Sequence, residues 1–436
     1  MDLTSNASRL MIPLMMRSAL FSSAIWPAAV AAAALSSNGG GRALRFNEDG
    51  IFQISILEDL HYGEAPATFG PTQDRLTTKT IGFLLDQEPT TDLVVLNGDI
   101  ISRDNLMVNS TGYLDQAVQP LLERSLTWAS LYGNHESNNI RDVRDILARE
   151  HTWPNARTRS LVSSGPGLDV GITNYYLPVF SASCTSPSGC GCTPELIIWF
   201  FDSRSGFQHD KLDANGKQVD RQSWVEPSVV DWFTAENERI TAKFGKTIPS
   251  LSFVHIPPNS FYAIQTSGPG IDPDRNPGIN DNLESGQADG YCSDGVKNGT
   301  CAWGGQDIPF MKALASTPGL MGVFSAHKHG NSWCYKWTDE TMPDYPVQPA
   351  AGLNLCYGQR TGYGGGGDWQ RGARQLRLKL DEIANGELST WIRLETGEVV
   401  GSVSLNETFG RDVYPRSPNR KTFCEECESC FTMIYV

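Results

Sequence analysis

The sequence is short of positive charge: 35 Lys and Arg stand against 49 Asp and Glu, a formal net charge of −14. Nucleic-acid binding needs clustered Lys and Arg against phosphates, and no such basic footprint occurs, so no nucleic-acid partner is expected. Beyond the N-terminal segment, no apolar run approaches the roughly 18 residues of a spanning helix, so no transmembrane segment is expected. Histidine is scarce as well, with 7 in 436 residues.

What is present reads as an ordinary globular chain, 40% hydrophobic and 19% charged. The length alone suggests about two or three domains, although large α/β sandwiches run longer as single units. Acidity does not forbid a phosphorylated substrate, because bound cations reverse the local sign. Arg9 and Arg17 precede a run of apolar and small residues from Ala19 to Leu35, with an Ala-x-Ala cleavage point near Ala32 and Ala34. Residues 1–36 are therefore expected to be a signal peptide or a disordered extension.

The 10 cysteines point to an oxidising compartment. Cys184, Cys190 and Cys192 share a Ser/Pro/Gly-rich loop and Cys292 and Cys301 flank another, which suits local disulfides. Asn109-Ser110-Thr111, Asn298-Gly299-Thr300 and Asn406-Glu407-Thr408 are glycosylation sequons. Together these features indicate a secreted glycoprotein or one of the endomembrane lumen or vacuole. Cys424-x-x-Cys427-x-x-Cys430 lacks a fourth ligand for structural zinc, so a disulfide-containing or disordered tail is expected there.

Apolar periodicity places strands at Ile51–Leu57, Leu93–Leu96, Trp128–Tyr132, Leu196–Phe201, Leu251–Val254 and Met321–Phe324, with more sheet at Leu376–Leu380 and Thr390–Leu394. Helices are expected from Gln73 to Asp86, from Arg141 to Glu150 and from Pro227 toward Phe244; the stretch Pro257–Gln306 reads as a long loop. Polar signatures stand where apolar runs end: Asp59-Leu60-His61, Gly98-Asp99, Gly133-Asn134-His135-Glu136, a lone His255, and His327-Lys328-His329. Five of the 7 histidines fall in them, which chance scatter of solvated residues does not explain. Asp, Asn and His are the oxygen and nitrogen donors of first-row divalent metals, and open α/β folds build sites at strand ends. His151 and His209 match no signature and are expected at the surface. Asp202-Ser203-Arg204 follows a strong strand and reads as a turn more readily than as a site carboxylate.

The order D-x-H, G-D, G-N-H-[DE], H and H-x-H resembles the calcineurin-like metallophosphoesterase superfamily, over Gln53 to Gly330. The resemblance implies a four-layer α-β-β-α sandwich with two mixed central sheets, here over residues 48–400, followed by a tail at 401–436. It implies two divalent cations (iron, manganese or zinc), one held by Asp59, His61, Asp99 and His329, the other by Asp99, Asn134, His255 and His327. His135 would be catalytic, facing the phosphate, with Glu136 or another carboxylate orienting it. The implied activity is phosphoester hydrolysis by in-line attack of a metal-bound hydroxide. A phosphomonoesterase acting on a phosphorylated small molecule or phosphoprotein is the first expectation. A phosphodiesterase for a nucleotide or lipid head group, or a silent binding protein of the same fold, is the alternative.

Phe324 to Cys334, and Leu355 to Arg374, resemble more closely a fungal phosphatase branch that includes plant purple-acid-phosphatase-like proteins. That likeness implies a Cys334–Cys356 disulfide and puts Arg360, Tyr363 and the following glycines beside the metal mouth as substrate contacts. Two departures follow. Ala326 replaces the usual glycine of the last motif, tolerable if its φ is negative. Ser102 stands where purple enzymes carry a tyrosine ligand, and His61 where they carry glycine, so no charge-transfer colour is expected.

Overall fold

In the computed structural model, residues 43–103, 110–162, 168–185, 191–338, 342, 344–349 and 352–422 are described. The expected signal segment, Asn109, Cys190 and Cys424, Cys427 and Cys430 lie outside them. One sheet contains β2 (Ile51–Leu57), β3 (Leu93–Asn97), β4 (Trp128–Leu131), β13 (Gly372–Lys379), β14 (Leu388–Leu394) and β15 (Val399–Leu405), in the order β15-β14-β13-β2-β3-β4. The other contains β1 (Leu44–Arg45), β5 (Tyr175–Phe180), β6 (Leu196–Phe201), β9 (Ser250–Val254), β10 (Leu320–Ser325), β11 (Cys334–Trp337) and β12 (Leu353–Tyr357), in the order β1-β5-β6-β9-β10-β12-β11. A small hairpin, β7 (Phe207–Leu212) and β8 (Gln218–Asp220), stands apart from both.

Both sheets are mixed. β2, β3 and β4 run parallel, as do β6, β9, β10 and β12, while β13, β14, β5 and β11 pair antiparallel with neighbours. The parallel strands are apolar on both faces because both faces are covered. In β3, Leu93 and Val95 join the core between the sheets, and Val94 and Leu96 face the helices outside. Phe52, Ile54 and Ile56 of β2 also enter the inter-sheet core. The alternate Gln53 and Ser55 are buried too: Ser55 Oγ lies 2.7 Å from Thr91 Oγ1, and Gln53 Nε2 donates to Glu88 Oε2 at 3.0 Å. Polarity in that strand marks hydrogen-bonded burial rather than solvent.

Outside the first sheet lie α1 (Gly70–Gln87), α2 (Ser110–Glu123) and α3 (Val143–Glu150), and outside the second α4 (Pro227–Phe244), α5 (Ser260–Thr266) and α6 (Ile308–Ser316), while a short α7 (Leu380–Ile383) follows β13. The result is the expected four-layer α-β-β-α sandwich. α4 begins with Pro227 after Glu226, whose carboxylate accepts from Ser228 N at 2.7 Å, and stops at Gly245 with φ 66°. The stretch expected as loop contains α5, a short helix whose Phe261 and Ile264 anchor it to the core. Strands β5, β11, β12 and β15 were not expected from periodicity; Pro178 interrupts β5, and β11 has only 4 residues.

Candidate metal centre

The sequence signatures meet at one end of the sandwich. Asp59 and His61 follow β2, Asp99 follows β3, and Asn134 and His135 follow β4; His255 follows β9, and His327 and His329 follow β10. Backbone bonds lace these loops together: His61 N donates to Asp99 O at 2.9 Å, and Ala326 N to His255 O at 3.0 Å. Asp59, His61, Asp99 and His327 have φ of 53°, 53°, 50° and 71°. Such conformations are costly away from glycine, and they concentrate where a site dictates the backbone. Ala326 is not among them, so its methyl group fits where the family uses glycine.

Three groups of donor atoms fall within 4.8 Å of one another: Asp59, His61 and His329; Asp99, His255 and His327; and His61, Asp99 and His135. His255 Nε2 lies 3.1 Å from Asp99 Oδ2, His329 Nε2 3.6 Å from Asp59 Oδ1, and His61 Nε2 3.2 Å from His329 Nε2. Close approach depends on two glycines. A Cβ at Gly98 would stand 2.3 Å from His255 Nδ1, and one at Gly133 would stand 2.4 Å from Asp99 Oδ1.

This donor set fits divalent cations. His255 Nδ1 lies 2.8 Å from Asn97 O, which holds the proton on that nitrogen and turns the Nε2 lone pair toward Asp99. Oδ1 of Asn134 is buried without a hydrogen-bond partner, although buried polar atoms normally have one, and Nε2 of His255 faces the Asp99 carboxylate. Mixed carboxylate, amide and imidazole donors suit first-row metals. Against the lowering effect of burial, Asp99 and Asp59 push His255 up to about 10. Despite burial, His255, His135 and His61 hold Asp99 well below its ordinary value. The pocket rewards positive charge.

A family model for calcineurin-like phosphoesterases matches residues 57–285, just over half of the chain. The chain belongs to that family. It is 25% identical, over 82% of its length and 84% of the relative's, to a protein of Arabidopsis thaliana named "Probable inactive purple acid phosphatase 14". It is 26% identical to "Phosphatase DCR2" of Saccharomyces cerevisiae, over 81% of this chain and 56% of that protein. Among solved structures, a dimetal phosphatase from Danio rerio aligns with a TM-score of 0.46 at 12% identity, covering 82% of this chain and 99% of that one.

Around this cluster, several side chains have roles the sequence did not disclose. Glu136 does not orient His135. Its buried carboxylate accepts from Asp99 N at 3.1 Å, Ile101 N at 3.0 Å and Gly133 N at 2.6 Å, so it ties two site loops together. Burial, then Asp99, pushes Glu136 up to about 7. His135 is instead oriented by the backbone of Arg103, whose N–H donates to Nδ1 at 3.0 Å. A main-chain donor leaves no mark in a sequence. Asp202 is the structural turn that was expected: its Oδ2 accepts from Ile172 N at 2.7 Å and its Oδ1 from Arg204 N at 2.8 Å. His151 and His209 lie exposed, away from the cluster.

Arg360 and Tyr363 lie beside the site with their polar groups engaged. Arg360 is buried and donates to Gly364 O, Gly366 O and Gly367 O, while Tyr363 Oη donates to Glu395 Oε2 at 2.6 Å. A cavity of about 150 Å³ abuts His327, lined by Arg103, Arg221, Lys328, Lys297, Asp220 and Asp289 among others. The disulfide Cys334–Cys356 joins β11 to β12 as expected, and Cys184–Cys192 and Cys292–Cys301 close two loops.

Proposed function

We propose that this chain hydrolyses phosphomonoesters at a centre of two divalent cations. In this reading Asp59, His61, Asp99 and His329 hold one cation, Asp99, Asn134, His255 and His327 hold the other, and Asp99 bridges them. The observation that carries it is the convergence of these donors from five strand-end loops, with Asn134 Oδ1 buried and without a hydrogen-bond partner. Iron, manganese and zinc all suit the set. When bound, the cations supply Lewis acidity and lower the pKa of water so that a nucleophile exists near neutral pH.

The chain's own residues position and stabilise. Asp99 is fixed from both sides, its Oδ1 accepting from His135 N at 2.8 Å and its Oδ2 lying against His255. Because His135 Nδ1 accepts from Arg103 N, the neutral ring carries its proton on Nε2. That N–H is the donor for charge developing on the phosphoryl or leaving-group oxygen. The cavity beside His327 takes the leaving group. Its charged lining favours a phosphorylated small molecule or a phosphorylated protein side chain over a lipid tail. Three disulfides and the exposed Asn298 sequon support a secreted or lumenal setting.

Elemental analysis with a panel of phosphomonoesters and diesters tests the reading. Two metals per chain and monoester turnover lost on chelation are expected. Turnover that survives chelation, or persists in Asp99→Ala, overturns it. Two bound metals without turnover on any ester would instead match the "inactive" naming of the plant relative.

A further inference from the structure

Arg360 spends its guanidinium on a loop rather than on an open surface. It is 1% exposed, and its Nη atoms donate to three carbonyls of the glycine-rich segment 362–367, those of Gly364, Gly366 and Gly367. Gly366 O is also the acceptor facing His329 Nδ1, 3.3 Å away. One carbonyl therefore joins the buried arginine to a proposed ligand. The same segment lies flat on His61: a Cβ at Gly365 would stand 2.3 Å from His61 Cδ2, and φ there is +78°. Glu64 Oε2 fastens the segment from the other side, accepting from Gly365 N at 2.8 Å.

An imidazole whose Nδ1–H is bonded to a carbonyl presents its Nε2 lone pair in a fixed direction. The glycine segment does this for His329 and blocks movement of His61, and these two Nε2 atoms face each other at 3.2 Å. His255, in the other donor group, is oriented by Asn97 O instead. Without the planar fork of arginine, the three carbonyls would lose the group that gathers them; Gly367 O would keep only Arg371 Nη2 and Gly366 O only His329. We propose that Arg360 is a positioning residue for the cation held by Asp59, His61 and His329, acting through the glycine segment and not through substrate. This rests on the two-cation reading above.

Manganese titration of the stripped full-length protein, followed by calorimetry and electron paramagnetic resonance, tests it. Wild type should bind two Mn²⁺ with an exchange-coupled spectrum; if it does not, the two-cation reading itself fails. Arg360→Ala should keep one Mn²⁺ at unchanged affinity and weaken the other roughly 10–100-fold, the usual cost of losing an outer partner of a ligand. Its spectrum should become that of an isolated ion, and Arg360→Lys should recover part of the lost affinity. Should Arg360→Ala fail to fold, Gly365→Ala carries the test, because its methyl group displaces His61 and should weaken the same ion. Two Mn²⁺ bound with wild-type affinities by either folded variant would overturn the proposal. So would equal weakening of both ions, or a raised KM for p-nitrophenyl phosphate with both ions in place.

Discussion

The backbone N–H of Arg103 donates to His135 Nδ1 at 3.0 Å, and this bond decides which nitrogen of that imidazole carries its proton. The ring stands nearly perpendicular to His61, at 88°, with centroids 4.4 Å apart. His135→Ala should leave metal content near wild type and lower kcat by about 10²–10⁴-fold, the range for a lost proton donor. Elemental analysis beside steady-state kinetics checks both halves. Loss of metal would make His135 a ligand.

Asp99→Asn keeps the shape of the side chain and removes its charge. Metal affinity should fall by more than the roughly 100-fold that an outer partner costs, with turnover falling alongside it. Retention of both metals at wild-type affinity would remove Asp99 from the bridging role.

Glu136→Gln presents an amide to three backbone donors, those of Asp99, Ile101 and Gly133. Leaving one or more of them unsatisfied should cost about 1–3 kcal/mol in denaturant unfolding, and metal affinity should weaken because two site loops separate. Unchanged stability would mean that the loops hold themselves.

Asp307, which is not among the proposed metal donors, gives a pH signature of its own. Burial pushes its carboxyl up to about 6 from 3.8, although Asn259 N, Tyr345 Oη and Trp303 Nε1 all donate to it. A folded pKa above the unfolded one means that this group's contribution is fully present below pH 3.8 and is lost as pH rises through 6. The loss is on the order of 3 kcal/mol at one pH unit per 1.4 kcal/mol. Urea midpoints from pH 4 to 7 should therefore fall less steeply in Asp307→Asn than in wild type. Equal slopes would assign the dependence elsewhere.

Cys334 and Cys356 lie directly opposite in the antiparallel pair β11–β12, closing a separation of 22 residues. Replacing both with serine should lower unfolding free energy by about 3 kcal/mol. Without reductant, denaturation should show that difference between wild type and variant; in reductant, which opens all three disulfides, the two should coincide.

The seven proposed ligands were legible because each follows an apolar strand whose end is easy to read, whereas the four layers were implied by the resemblance of the motif order. Leu93–Asn97 has no polar residue before Asn97, so Gly98-Asp99 stands out. What escaped were roles played by atoms that sequence does not distinguish. A main-chain N–H orients His135, and Glu136 serves three other main-chain donors. Arg360 resembles a substrate contact in the linear motif, yet its guanidinium turns into its own loop. The edge strands β11 and β15, and β5 next to the short edge strand β1, escaped because tertiary pairing, not periodicity, makes them extended.

The proposed ligands come from both sheets. Asp59, Asp99 and Asn134 leave the sheet that contains β2, β3 and β4, whereas His255, His327 and His329 leave the one that contains β9 and β10. A cation pair at that seam would act as a bolt between two leaves that otherwise meet through an apolar core and a few hydrogen bonds, such as Tyr175 Oη to Ser130 O. Stripping it should loosen the rim of the sandwich first, while the hydrocarbon layer behind stays closed. Amide hydrogens in the five rim loops would then exchange faster well before global melting, and metal supply would set how long the folded chain survives proteolysis.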